Sequence, residues 1–120
     1  MRRQEFVIGG YTEPQGSRKG FGSLLIGFYE KDGLYYAGKV GTGFNNEILT
    51  DLHEQMQKLE TQETPFKKNK DLPRRDVHWT KPQMVAEIGF TEWTSTKKLR
   101  HPRYFGLRRD KDAKEVIKET

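Results

Sequence analysis

Arg108, Arg109, Asp110 and Lys111 close a stretch, "LRHPRYFGLRRDKD", whose residue types suit one kind of chemistry. A guanidinium presents a planar fork of donors that matches phosphate oxygens two at a time, and a lysine adds a compact charge. A carboxylate among them would repel phosphate. Asp110 therefore suits orienting a neighbouring cation, or holding a Mg²⁺ already bound to phosphates. From Lys97 to Lys111 the chain carries seven Lys or Arg and one Asp, a local +6 in a chain whose net charge is only +5. Basic character this concentrated is what a phosphate-facing edge needs. On charge alone, a solvated face remains the other reading. An extended strand here would point Phe105 and Leu107 into the core, with Tyr104, Gly106 and Arg108 on the opposite side. Gly106 would then leave room for a close approach.

Other groups of residues are weaker candidates. "GKVGTGFNNE" has the glycines of a phosphate loop running into a helix start, but no Gly-Lys-Ser/Thr closes it. It reads either as a turn leaving a twisted strand or as a place where Lys39 faces a ligand. "EKDG" resembles the Lys-x-Asp-Gly adenylation signature, yet Glu30 stands where the nucleophilic lysine is needed. His53, His78 and His101 are too far apart in sequence for a local metal motif, and no metal ligand set is assigned. Glu87 and Glu92 fall on opposite faces of a strand, which disfavours shared acid–base work. Trp79 and Trp93 could stack on bases, although a core or rim role explains each as well.

These side chains must be carried by strands. "RQEFVIGGYT", "FGSLLIGFYE" and "LYYAGKVG" read as a three-stranded meander, with Asp32-Gly33 as the hairpin signal between the last two. Ile48, Leu49, Leu52, Met56 and Leu59 then recur at helical spacing behind an Asn45 or Asn46 cap, with Glu47, Asp51, Glu54 and Glu60 on the polar face. "ETPFKKNKDLPRRD" is a basic, proline-punctuated loop, and "VHWTKP" is a short strand or irregular. "QMVAEIGFTEWT" gives a fourth strand, "RYFGLRRD" a fifth, and the tail "KDAKEVIKET" reads as helical or frayed. Three strands, a helix and two strands is the order of a mainly β, five-stranded OB-type barrel with its helix between the third and fourth strands.

Composition bounds the rest. A chain of 120 residues with 32% hydrophobic and 32% charged residues suits one domain with a modest core. It has no cysteine, which excludes disulfides and thiolate metal sites. No apolar run is long enough for a helical membrane span. An intracellular, cytoplasmic setting is the expectation.

"RHPRYFGLRRDK" resembles the last signature of ATP-dependent DNA ligases, the Arg-x-Pro…Arg-x-Asp-Lys element called motif VI. "RRQEFVIGGYT", "YAGKVGTGF" and "MVAEIGFTEWT" resemble companion segments of the same C-terminal domain in bacterial ligases of end-joining repair. The resemblance runs from Arg2 to about Lys114. It implies a single OB-fold domain over residues 1–120, with the nucleotidyltransferase domain of the same polypeptide lying outside this chain. Met1, directly before the first strand, would then be an introduced start. Arg108, Asp110 and Lys111 match the motif's own residues and would orient the pyrophosphate leaving ATP as a lysine is adenylated. Arg100 and Pro102 match its upstream half, and Arg100 would join Arg108 and Lys111 on the pyrophosphate. In later steps the domain would grip nicked duplex DNA. Arg18, Lys19 and Lys39 are expected DNA contacts, chosen by charge and expected exposure only; Arg103 and Arg109 fill variable positions of the motif and are carried to DNA as general phosphate contacts.

The resemblance further implies ATP and Mg²⁺ as cofactors of the full-length enzyme, with none bound by this domain alone. Ku and polymerase modules are implied as further partners. This piece by itself should neither seal DNA nor form an adenylate. A stand-alone nucleic-acid-binding OB module is the alternative, and a capping guanylyltransferase a more distant one.

Overall fold

The computed structural model describes residues 1–118. Its strands are β1 (Arg2–Thr12), β2 (Leu24–Glu30), β3 (Gly33–Val40), β4 (Glu60–Thr61), β5 (Val77–Phe90), β6 (Glu92–Trp93), β7 (Leu99–Arg100) and β8 (Arg103–Arg108). One helix, α1 (Asn46–Gln57), separates β3 from β4, and a 3₁₀ turn spans Ala113–Glu115. The protein is mainly β, as expected, and its five longest strands follow the anticipated order. Beyond those five are three two-residue strands, β4, β6 and β7, too short to leave a periodic pattern in sequence.

The main sheet runs β3-β2-β1-β5-β4, with β8 also paired to β5, and all of its ladders are antiparallel. β6 and β7 form a separate hairpin. Among the described residues no strand ladder joins β3 to β8, so the sheet is not a closed barrel. A backbone hydrogen bond of 3.0 Å from Tyr104 N–H to the Thr42 carbonyl nevertheless links β8 to the segment leaving β3. Gly43 is what permits it. A Cβ there would stand 2.4 Å from the Tyr104 carbonyl oxygen, and Gly43 has φ +99°, which favours glycine.

The fourth strand is longer than its sequence suggests. β5 takes in both "VHWTKP" and "QMVAEIGF", because the β1 register steps from Ile8–Met84 to Gly10–Trp79. Residues 80–83 bulge out of that ladder, and Pro82, which has no N–H to donate, falls inside the bulge. Glu60 is a second departure. It belongs to β4, not to the polar face of α1. Asn45 is the helix cap, its side chain accepting the Ile48 N–H at 2.7 Å.

Phe6, Phe28 and Phe90 surround Trp93 at ring-centroid distances of 5.6–5.8 Å. Tyr11, Phe21 and Phe44 continue the aromatic packing toward Tyr104. Leu49, Leu52 and Met56 bury the apolar face of α1 against this core. The loop before β5 is anchored in turn. Phe66 is buried, and its backbone pairs with Leu34.

A polar cluster ties β1, β4 and β5 together. The His78 ring nitrogens lie 2.5 Å from Glu13 Oε1 and 3.2 Å from Glu60 Oε2. The Tyr11 hydroxyl donates to Glu60 Oε1 at 2.8 Å, and its ring stacks on His78 at 4.9 Å. Hydrogen bonding to Glu13 is the main cause that raises the His78 pKa above its ordinary 6.5. The Tyr11 hydroxyl does most to hold Glu60 below its ordinary 4.5. The stability that His78 contributes is therefore complete below 6.5 and lost as pH rises through its higher folded value. For Glu60 it is present above 4.5 and lost as pH falls through its lower folded value. Stability from this cluster should peak between those limits. An NMR titration of the His78 ring should give a midpoint above 6.5; one at or below 6.5 would contradict the geometry.

Candidate phosphate-facing site

β8 places the site, but not by simple alternation. In its ladder with β5, Ile88 pairs with Tyr104 and Glu87 with Gly106, so Phe105 is skipped in a bulge. Tyr104 is buried as a result, while Phe105 is 38% exposed and carries the Arg3 guanidinium 3.8 Å from its ring centroid. This reverses the orientation expected from the sequence for Tyr104 and Phe105. Leu107 is half-buried, and so is Arg108.

Arg108 is held on several sides. Its Nε and Nη2 donate to the two Asp110 oxygens, both at 3.2 Å, a paired fork. Its Nη1 donates to Glu5 Oε2 at 3.2 Å and lies 3.6 Å from Glu87 Oε1. Lys111 Nζ donates to Glu5 Oε1 at 3.0 Å, and Arg3 Nη1 to Glu87 Oε2 at 3.2 Å. Three cations and three carboxylates thus alternate along one edge. The hydrogen bonds from Arg108 hold the Asp110 carboxyl below the usual carboxylate range, and Asp110 is the main cause of a raised Arg108 pKa. Asp110 thus pairs with a neighbouring cation through both of its oxygens.

Glu5 and Glu87 did not emerge from the sequence as part of this site. They are direct cross-strand partners in the β1–β5 ladder, with side chains 20% and 24% exposed. Opposed like charges destabilise a sheet unless something bridges them, and Arg108 does. Glu87 drew attention only beside Glu92. The pairing of β1 with β5 that gives it Glu5 is a long-range fact.

The remaining expected residues are dispersed. Arg109 Nη2 donates to Gln55 of α1 at 3.4 Å and, with Lys111, Met84 and Leu107, lines a cleft of about 210 Å³ beside the ion network. Arg100 stands on β7, 3.7 Å from Glu92 across the small hairpin, so the upstream half of the stretch lies on a different ladder from Arg108. Arg103 is exposed at the start of β8. Arg18 donates to the Gly22 and Gly41 carbonyls at 2.7 and 3.0 Å, stitching its loop to the β3 exit. It shares an open cleft of about 520 Å³ with Lys39. Lys19 belongs to another cleft, beside Asn46, Glu47 and Asp51. Among the described residues no three His, Asp or Glu side chains are placed to hold a metal ion.

Residues 17–111 match the family model for the ATP dependent DNA ligase C terminal region. The chain belongs to that family. The match ends on Lys111, the last cation of the ion network. Over 97% of its length this ligase C-terminal region is 43% identical to the multifunctional non-homologous end joining DNA repair protein LigD of Mycobacterium tuberculosis, of which it covers 16%. It is 42% identical over 98% of its length to LigD of Pseudomonas aeruginosa, covering 14% of that protein. It therefore spans about a sixth or less of the length of these curated relatives. Among solved structures, the ligase domain of M. tuberculosis LigD superposes with a TM-score of 0.89 at 43% identity, covering 98% of this chain and 39% of that one. A mycobacterial DNA ligase D complexed with ATP and MES gives 0.86 at 40% identity, with 98% and 38% coverage.

Proposed function

We propose that this ligase C-terminal region assists lysine adenylation by orienting the β- and γ-phosphates of ATP, and afterwards lies against nicked duplex DNA during sealing. The observation that carries the reading is the Arg108–Asp110 fork. Asp110 fixes the guanidinium plane from one side, which suits it to present its remaining donors in a set direction. Lys111 adds charge beside it. The chemistry asked of these groups is positioning and charge stabilisation: the pyrophosphate must leave in line with the attacking lysine, and charge builds on its oxygens as the bond breaks. The attacking lysine belongs to the nucleotidyltransferase domain.

Mg²⁺ does not fit a site within this chain alone. The Asp110 oxygens accept from Arg108, and no converging donor set stands nearby among the described residues. No step is assigned to a metal held here. Exposed Lys19, Lys39, Arg103 and Arg109 supply the positive field for the DNA backbone. Their dispersion predicts weak duplex binding that falls steeply with salt. A fluorescence-anisotropy titration with a nicked duplex should lose roughly tenfold or more in affinity between 50 and 200 mM salt. Affinity insensitive to salt would remove the phosphate contacts from the proposal.

The central test joins this chain to a ligase nucleotidyltransferase domain that lacks its own C-terminal domain and follows lysine adenylation with radiolabelled ATP. Restored adenylation is expected. A folded fusion that gains nothing would leave a nucleic-acid-binding module without a part in catalysis.

A further inference from the structure

Glu5 and Glu87 have no evident reason to face each other unless cations are meant to sit on them. Each lies in the interior of a long strand, on a partly buried face, directly across the β1–β5 ladder. Together with Asp110 they bring three negative charges to the three positive charges of Arg3, Arg108 and Lys111. The edge that should attract a polyphosphate is therefore locally neutral as it stands. Lys111 Nζ and Arg108 Nη1 both donate to the single carboxylate of Glu5. A polyanion brought to these donors would meet Glu5 and Glu87 at close range.

We propose that Glu5 and Glu87 are positioning residues that stand in for phosphate in the resting domain, so that polyphosphate engages Arg108 and Lys111 by displacing carboxylates. Asp110 differs in kind. It is two residues from Arg108 on the same segment, occupies Nε and Nη2, and travels with the arginine. Glu5 and Glu87 belong to β1 and β5 and stay with the sheet. Exchange would free Arg108 Nη1 and Lys111 Nζ while keeping the Asp110 fork. The carboxylate pair keeps the cations ordered and discourages stray anions until a ligand of higher charge density arrives. This inference rests on the reading that Arg108 and Lys111 meet the phosphates of ATP.

The test titrates inorganic tripolyphosphate into this 120-residue chain at low salt, with binding followed by calorimetry and by the NMR signal of the Arg108 Nε–H. Glu5→Gln and Glu87→Gln keep the side-chain shape and remove the charge. Each should tighten tripolyphosphate binding about fivefold, the most that one partly exposed ion pair usually supplies. Glu54→Gln, on the exposed face of α1, removes the same charge at a distance and should change affinity less than twofold. A purely structural role for the two glutamates predicts unchanged or weaker binding in both variants, and that result overturns the exchange. An equal gain in Glu54→Gln overturns it too, since net charge alone would then account for the effect. Arg108→Ala in the Glu5→Gln background separates the underlying reading. If the tightened binding survives it, Arg108 is not the phosphate ligand and both readings fall. If binding is lost there but the glutamate variants gain nothing, the phosphate reading stands and the exchange alone fails.

Discussion

Replacing Arg108 with alanine in a ligase carrying this domain is expected to slow lysine adenylation by about 10²- to 10³-fold, the usual cost of removing one donor aimed at developing charge. The loss should fall on the chemical step and not on folding. Arg108 is 37% exposed, and after its removal Arg3 and Lys111 still pair with Glu87 and Glu5, so the domain should stay folded. Arg108→Lys should recover little, because an ammonium cannot make the fork to both Asp110 oxygens while offering donors elsewhere. Asp110→Asn should give an intermediate defect, since the shape remains and the charge that orients the guanidinium is gone. Sealing of a pre-adenylated nick provides the contrast. That step releases no pyrophosphate, so Arg108→Ala should impair it far less than adenylation. Equal losses in the two assays would place Arg108 on DNA instead. Single-turnover measurements with radiolabelled ATP and with a pre-adenylated nicked duplex give both numbers.

What the sequence disclosed about this site was local, and what it withheld was long-range. The spacing of Arg108, Asp110 and Lys111 within four residues suggested a phosphate-facing edge, and strand order was readable from alternation, turn signals and one amphipathic helix. Neither Glu5 nor Glu87 could be joined to that edge, because they lie 82 positions apart and meet only through the β1–β5 register. Two bulges account for most of the remaining differences. One lets Pro82 lie within a single long strand, and the other turns Phe105 outward and Tyr104 inward. A bulge adds one or more residues to one strand without a fixed sequence mark, and every side chain beyond it changes face. Glycines carried a weaker version of the same problem. "GKVGTGF" read either as a turn leaving a twisted strand or as a place for a ligand, and its use is a long-range one: Gly43 serves the approach of β8, while the cap of α1 comes from Asn45.

Phe66→Ala should be among the more damaging single changes to the fold, costing about 3–5 kcal/mol. The residue belongs to a stretch that reads as a polar, basic loop, yet its ring is buried over two glycines of neighbouring strands. A Cβ on Gly9 would lie 2.5 Å from the ring, and one on Gly27 would lie 2.7 Å from it. The two missing side chains leave a notch in the β1–β2 surface, and Phe66 fills it, with Tyr36 and Trp79 edge-on at 5.5 and 6.1 Å. No nearby side chain replaces a ring lost from a notch made by glycines, so the cavity term adds to the lost transfer energy. Against a typical domain stability of about 5–15 kcal/mol the loss is large, and the melting temperature should fall by on the order of 10 °C. Phe66→Leu should recover part of it. The same ring anchors the segment carrying Lys67, Lys68, Lys70, Arg74 and Arg75, so the alanine variant should also free that basic loop. Limited proteolysis would then cut within residues 67–75 at temperatures where the rest of the chain is still folded. A melting temperature within a few degrees of the parent, with no new cleavage there, would show that the notch closes without its aromatic plug.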